Sequence, residues 1–220
     1  MKSFYILISL AFCLVGCKQT EEKPADGILF TSSQPQGEPS LSKIPRTFRG
    51  TFMNKDSVLL QIGRENIIKE YHWLVRFHMS ERDSLRKEGI FLKGNLAVIK
   101  GIGYPAKMVS DSIEISFSER DTLFNIGQGM VAKRIDRSLV LNYKDSIFWN
   151  ICIIEHEKNK VRLRYVGIDD KPIFDSIVKT TSKQVDSTRF VYSPNAKEFE
   201  SVLKNLRRVT GSVYFKVTSK

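Results

Sequence analysis

The nine residues Tyr71-His72-Trp73-Leu74-Val75-Arg76-Phe77-His78-Met79 indicate the fold class of this 220-residue chain. Aromatic and aliphatic side chains occupy every odd position, whereas both histidines and the arginine occupy even positions. This period of two is that of a β-strand, whose successive side chains point to opposite faces of a sheet. We therefore predict a strand whose odd-numbered face packs into the core.

The same alternation, or a short apolar run, recurs through most of the remaining chain. The further predicted strands cover residues 48–53, 57–62, 96–100, 112–118, 138–143, 146–155, 160–166, 188–192 and 212–218. A turn at Glu157-Lys158-Asn159 separates two of them, and Gly127-Gln128-Gly129 resembles another turn. Connections this short require antiparallel neighbours. The chain is predicted to be mainly β, an antiparallel meander, sandwich or partly open barrel.

Seven of the eleven Asp residues precede a Ser or Thr. An Asp side chain accepts hydrogen bonds from backbone N–H groups just ahead of it and so closes an Asx turn. We predict turns that lead into strands at these positions, which are Asp56, Asp83, Asp111, Asp121, Asp145, Asp175 and Asp186.

One amphipathic helix is predicted near the C-terminus, before the last strand. Ser193-Pro194 provides an N-cap followed by proline at the first helical position. Phe199, Val202 and Leu203 then fall on one stripe with Leu206.

The first seventeen residues form a separate unit. Lys2 precedes an apolar stretch from Phe4 to Val15, which is too short for the roughly 20 residues of a membrane-spanning helix and is typical of a secretion signal. The segment ends in Leu14-Val15-Gly16-Cys17, which resembles the lipobox of bacterial lipoprotein precursors. That resemblance implies cleavage of residues 1–16, acyl chains on Cys17 and a membrane anchor.

The residues after Cys17 bear on which membrane the anchor reaches. An Asp directly after the acylated Cys resembles an inner-membrane retention signal in enteric bacteria. This chain has Lys18 at that position, which favours the outer membrane. Glu21-Glu22 resembles the acidic tether of surface-exported lipoproteins in the Bacteroidetes, although Gln19 and Thr20 intervene. The periplasmic and the surface face both stay open.

Residues 17–46 are predicted to be the acylated cysteine and a flexible tether. Four of the seven prolines lie here, and 29 flexible residues would span about 30 Å. Ile28-Leu29-Phe30 is the one apolar run that could dock onto the domain. Residues 47–220 are then one β-rich extracytoplasmic domain, with a division into two near residues 101–105 as the alternative.

Charge and cysteine content limit the partners. Loss of Lys2 with the signal leaves 34 basic against 24 acidic side chains, a net charge of +10. This favours acidic lipids or acidic envelope partners, whereas nucleic acid is not expected outside the cytoplasm. Cys152 is the one unmodified thiol of the mature chain, so no internal disulfide is expected.

One basic row is the best candidate for an anion-facing patch. Lys160, Arg162 and Arg164 alternate with Val161 and Leu163, so all three cations share one face of a strand. A solvated strand face is the competing interpretation.

Catalytic motifs are sparse. His72 and His78 share a face but lie about 20 Å apart, too far to bind one metal ion. Glu155-His156-Glu157 lies at a strand end, where solvated charges are expected, and Cys152 lies in an apolar strand. We predict no catalytic residues, no metal site and no cofactor.

Three functions follow from these observations. The leading hypothesis is a lipid-anchored envelope module that binds or assembles with another component without catalysis. A carrier that encloses a lipid or another hydrophobe in a β-sheet cavity is the alternative. An enzyme acting on envelope polymers has the least support.

Overall fold

The computed structural model describes residues 27–127, 129–180, 182–207 and 211–217. Its strands are β1 (Gly27–Phe30), β2 (Gly50–Met53), β3 (Leu59–Ile62), β4 (Asn66–His78), β5 (Ile90–Lys93), β6 (Leu96–Ile99), β7 (Ile102–Val109), β8 (Ser112–Asn125), β9 (Met130–Ile135), β10 (Ser138–Asp145), β11 (Phe148–Glu157), β12 (Lys160–Tyr165), β13 (Lys183–Gln184), β14 (Arg189–Tyr192) and β15 (Ser212–Lys216). Its α-helices are α1 (Arg82–Lys87), α2 (Lys171–Ile177) and α3 (Ala196–Leu206). The prediction of a mainly β chain, with a helix before the last strand, is confirmed.

All strands belong to one large, open and mostly antiparallel sheet. Its order is β13-β14-β1-β11-β12-β15-β2-β3-β4-β8-β7-β6-β5, and β10 and β9 extend it from β11. The main core consists mostly of buried side chains from nine strands, which include Phe52 on β2 and Ala132 on β9. The sheet therefore curls around this core, and it stays open between β8 and β9.

A second core lies on the opposite face of the sheet. Phe174 of α2 and Phe199 of α3 pack there against Val140, Ile151 and Ile153. Leu141 and Cys152 point instead into the main core. Strands β10 and β11 are thus buried on both faces, which explains the nearly continuous apolar run around Cys152.

Helix α3 presents the predicted stripe, with Phe199, Val202, Leu203 and Leu206 all buried. The predicted start is wrong, because Asn195 and not Ser193 is the N-cap. The Asn195 side chain accepts from the N–H of Glu198 at 3.0 Å, and the Glu198 carboxylate accepts from the N–H of Asn195 at 3.0 Å. This reciprocal capping box satisfies two backbone donors at the start of the helix.

The Asx-turn prediction holds for Asp186, which accepts from the N–H groups of Thr188 and Arg189 at 3.0 and 2.9 Å. It is wrong for Asp83 and Asp175, which lie inside helices α1 and α2, and for Asp121, which lies inside β8. At residue 56 the turn is closed by Asn54, whose side chain accepts from the N–H of Asp56 and of Val58.

The N-terminal part of the described chain differs most from the sequence-based prediction. All four residues of β1 are buried, and the strand lies between β14, in parallel, and β11. Gly27 has a φ of 126°, and a Cβ there would come within 2.8 Å of the Ile168 nitrogen. A flexible tether therefore does not extend through residues 27–46, because this segment contributes a strand to the sheet. Residues 1–26 lie outside the described chain.

Polar contacts hold the segment that follows β1. Asn142 is fully buried, and its side chain accepts from the N–H of Gln34 at 2.6 Å and donates to the Gln34 carbonyl at 2.9 Å. The Lys133 ammonium donates to the carbonyls of Ser33 and Pro35, at 3.0 Å each. These bonds satisfy backbone groups that the burial removes from water.

Beyond Glu70, the long strands β4 and β8 continue past the main core. Strands β5, β6 and β7 extend the sheet from β8, and helix α1 packs against this part. We call this part of the sheet, residues 71–119, the arm. Its own small core contains Leu85, Ala97, Ala106, Ile113 and Ile115. The alternative domain boundary near residues 101–105 falls in the β6–β7 hairpin of the arm.

Candidate functional site

Cys17, the predicted lipidation site, lies outside the described residues. Cleavage of residues 1–16 and acylation of Cys17 stay predictions. The other candidate sites from the sequence lie among the described residues. They are the basic row of β12, the histidines of β4, residues 155–157 and Cys152.

The predicted basic row does lie on one face of β12, because Val161 and Leu163 between its members are buried in the main core. The face is covered by the C-terminal end of α3. Arg162 donates to the Arg207 carbonyl at 3.2 Å, and Arg164 donates to the Leu206 carbonyl at 2.8 Å. Cations suit this position because the last carbonyls of a helix have no partner within it.

Acidic side chains surround the same row. Arg164 forms an ion pair with Asp170, in which the two side chains are only 12% and 4% exposed. Arg207 donates to Glu155 at 2.7 Å and also contacts Asp136 at 3.3 Å. The Lys160 ammonium lies 3.1 Å from Glu157 and holds the pKa of that carboxylate below its usual range.

Four basic and four acidic side chains pair with one another in this cluster, and Arg137 adds a further positive charge near Glu157. The basic ones are Lys160, Arg162, Arg164 and Arg207, and the acidic ones are Asp136, Glu155, Glu157 and Asp170. The void between them has a volume of only about 10 Å³. The row therefore joins helix α3 to the sheet, and each of its three cations contacts a carboxylate or a helix carbonyl.

The histidines of β4 each face a carboxylate. His72 Nε2 lies 3.1 Å from Glu70 Oε1, and His78 Nε2 lies 3.1 Å from Asp111 Oδ2. Hydrogen bonds from Ser112 and then from His78 lower the pKa of Asp111. Within the described ranges, no group of three or more His, Cys, Asp or Glu side chains is arranged to hold a metal ion.

Glu155, His156 and Glu157 do not converge. Glu155 turns toward Arg207, whereas His156 lies on the other face of β11, with its ring 5.9 Å from that of Phe48. Cys152 is fully buried between its neighbours in the main core. Its burial makes it inaccessible to a solution reagent.

The arm contains the surface that the sequence did not predict. The alternation of residues 71–79 is confirmed, but the odd-numbered face is only partly core, since Trp73 is 44% exposed. Trp73 stacks on Phe117 with ring centroids 5.5 Å apart, and Tyr104 lies 4.8 Å from Phe117 on its other side. Three rings thus cross three neighbouring strands in one row.

Other large apolar side chains of the arm are also exposed. Of twelve such residues in the described chain, the arm contains six, namely Trp73, Leu74, Phe91, Leu96, Ile102 and Met108. Pairing registers place Trp73, Ile102 and Met108 on the face of the aromatic row and Leu74 and Leu96 on the other. Both faces of the arm therefore expose apolar surface of the kind that marks interaction sites.

One larger cavity lies elsewhere in the molecule. It is an open groove of about 510 Å³ lined by Asn54, Lys55, Asp56, Gly211, Ser212, Val213 and Phe215. Its lining mixes charged and apolar side chains at the surface, which differs from the enclosed apolar pocket of a lipid carrier.

No protein-family model matches this chain, and no curated protein or solved structure is significantly similar to it. Among the described residues, no helix is both long enough and apolar enough to cross a membrane.

Proposed function

We propose that this protein is an outer-membrane lipoprotein, anchored through Cys17, and that its domain binds another envelope component through the faces of the arm without catalysing a reaction. The anchor rests on the sequence Leu14-Val15-Gly16-Cys17 after an apolar segment. The binding role rests on one observation, the concentration of exposed apolar side chains in the arm.

The arm is suited to binding because its apolar side chains are held by a regular sheet. Ile113 and Ile115 are buried beneath helix α1 and fix the strands that carry Trp73 and Met108. A surface already ordered in this way loses little conformational freedom when a partner binds. A protein partner or the acyl region of a surface component would each bury this area.

The carrier hypothesis requires an enclosed apolar cavity. Neither the void beside Arg164 nor the groove beside Phe215 has that form. The binding module is therefore the function that the described contacts favour.

Acylation is tested by expressing the full chain in a Gram-negative host that is fed an alkyne analogue of palmitate. The unsubstituted chain and Cys13→Ala are expected to be labelled and to sediment with the outer membrane. Cys17→Ala is expected to lose the label. A labelled Cys17→Ala chain, or an unlabelled parent chain, would reject the anchor.

Binding through the arm is tested by a photo-crosslinking amino acid placed at Ile102, which is 58% exposed. The matched control is the same amino acid at Ile147, which is 72% exposed in the β10–β11 turn, outside the arm. We expect an adduct of defined mass from residue 102 alone. Equal adducts at both positions, or none at either, would reject the arm as the binding surface.

A further inference from the structure

Strand β4 has an open edge along the arm. On one side it pairs with β8 over its whole length, but on the other side β3 pairs only with residues 67–70. The N–H of Met79 donates to the Asp111 carbonyl at 2.7 Å, so odd-numbered residues direct their backbone groups toward β8. The backbone groups of His72, Leu74, Arg76 and His78 therefore point away from the sheet.

The outward N–H groups are available for pairing at three of these four residues. In the described part of the chain, the N–H of His78 bonds to the Glu81 carboxylate at 3.2 Å, and those of His72, Leu74 and Arg76 bond to no strand. The edge spans seven residues, 72–78, which is about 23 Å of strand. It contains neither proline nor lysine, which commonly protect an edge, and the side chain of Arg76 is paired with Glu114.

The other edges of the described sheet are short, covered or charged. Among the described strands, the far edge of β8 has no partner beyond Ile115, and it carries the adjacent charged residues Glu119, Arg120 and Asp121. Strand β5 has four residues and β13 has two. The edge of β9 is covered by the segment after β1, since the N–H of Leu41 donates to the Ala132 carbonyl at 2.8 Å. The edge at residues 72–78 is therefore the long exposed edge of the described sheet that lacks a run of adjacent charges.

We propose that residues 72–78 pair antiparallel with the same residues of a second copy of this chain, about a two-fold axis at Val75. A residue whose backbone N–H and C=O point away from β8 must lie opposite another such residue. Even-numbered positions therefore pair with even-numbered positions. Strand β3 already occupies the position beside Glu70, so the pairing cannot slide further in that direction. A centre at Val75 satisfies both conditions and spans all seven residues, with the N–H of His78 left to its bond with Glu81.

This register brings complementary side chains together. Trp73 lies beside Phe77 of the second copy, and Val75 lies beside Val75, so the exposed aromatic face of one copy continues into that of the other. On the opposite face Leu74 lies beside Arg76. His72 lies beside His78 of the second copy, and each histidine keeps the carboxylate it already faces, Glu70 or Asp111. Arg76 keeps its ion pair with Glu114. The pairing involves the edge of the arm and does not depend on acylation of Cys17.

The axis position gives a direct test. The backbone of Val75 faces β8, so two Val75 residues across the axis form a non-hydrogen-bonded pair with Cα atoms about 4.5 Å apart. A disulfide joins Cα atoms at that separation. We expect mild oxidation of the full-length Val75→Cys chain to give at least tenfold more covalent dimer than Met108→Cys, which is 56% exposed on the same face. The unsubstituted chain gives the background from its own cysteines.

A second pair of variants tests the edge itself. The N–H of Leu74 points outward, so Leu74→Pro removes a donor from the edge without removing a bond to β8. We expect the Leu74→Pro chain to be monomeric by light scattering and Leu74→Val to remain dimeric. The proposal is overturned if Val75→Cys cross-links no better than Met108→Cys or cross-links only to a different protein. Equal dimerisation of the two Leu74 variants would also overturn it.

Discussion

Phe30→Ala tests whether the chain before residue 47 is part of the domain. Phe30 is fully buried, and its ring lies 5.7 Å from that of Phe174 and 6.1 Å from that of Phe199. Truncation of a buried Phe costs about 3–5 kcal/mol, through lost transfer free energy and the cavity that remains. We therefore expect the free energy of unfolding to fall by about 4 kcal/mol.

The assay is urea unfolding of the full chain, followed by tryptophan fluorescence. Trp149 is a suitable reporter because it is the register partner of Phe30 on β11. With an m value of about 2 kcal/mol/M, a loss of about 4 kcal/mol shifts the midpoint by about 2 M.

Phe91→Ala is the matched control, since Phe91 is 45% exposed on β5, and we expect a change below about 1 kcal/mol. If residues 17–46 were a flexible tether, Phe30→Ala would cost no more than this control. An unchanged midpoint for Phe30→Ala would therefore refute the placement of β1 in the sheet.

Three further predictions concern buried polar groups. Asp170→Ala leaves Arg164 buried without its carboxylate and should lower the free energy of unfolding in urea by about 3 kcal/mol. The control Glu200→Ala breaks the exposed pair with Lys204 and should lower it by less than about 1 kcal/mol. Equal losses in the two variants would contradict this reasoning. Burial lowers the pKa of Lys133 below 10.5, so the folded chain releases this proton at a lower pH than the unfolded chain; stability from this group rises as the pH rises between the lowered pKa and 10.5. We expect Lys133→Met to flatten that rise in urea midpoints measured from neutral to alkaline pH, and an unaltered pH profile would refute the assignment. Asn142→Ala removes both bonds to the Gln34 backbone and should lower stability by about 2 kcal/mol in thermal unfolding, whereas Asn205→Ala, at an exposed helix position, should have little effect.

Local alternation was sufficient to locate most strands because the period of two is a property of the strand itself. Each of the ten predicted ranges overlaps a strand, whereas β1, β5, β7, β9 and β13 lie outside these ranges. Strand β1 lacks alternation because it is buried on both faces, and the prolines around it suggested a tether. The continuous run Ile28-Leu29-Phe30 was the available signal, since a strand buried on both faces reads as an unbroken apolar run.

The candidate sites depended on contacts that spacing cannot reveal. Alternation correctly placed Lys160, Arg162 and Arg164 on one face, but the cover over them comes from α3, some forty residues later. In the arm, the open edge beside Trp73 depends on where β3 begins, because Leu59, the first residue of β3, lies opposite Glu70. Pairing between distant segments decides which side of a strand reaches solvent.

The insertion of β1 between β11 and β14 has a mechanical consequence if Cys17 is the anchor. Only residues 18–26 then separate the lipid from the first residue of the strand, and nine residues reach at most about 30 Å. Tension on the anchor would act along β1 and load its four-residue ladder to β14 in shear, so several hydrogen bonds would resist at once. The domain would be held close to the bilayer, and a force that displaced it would be transmitted directly to the second core.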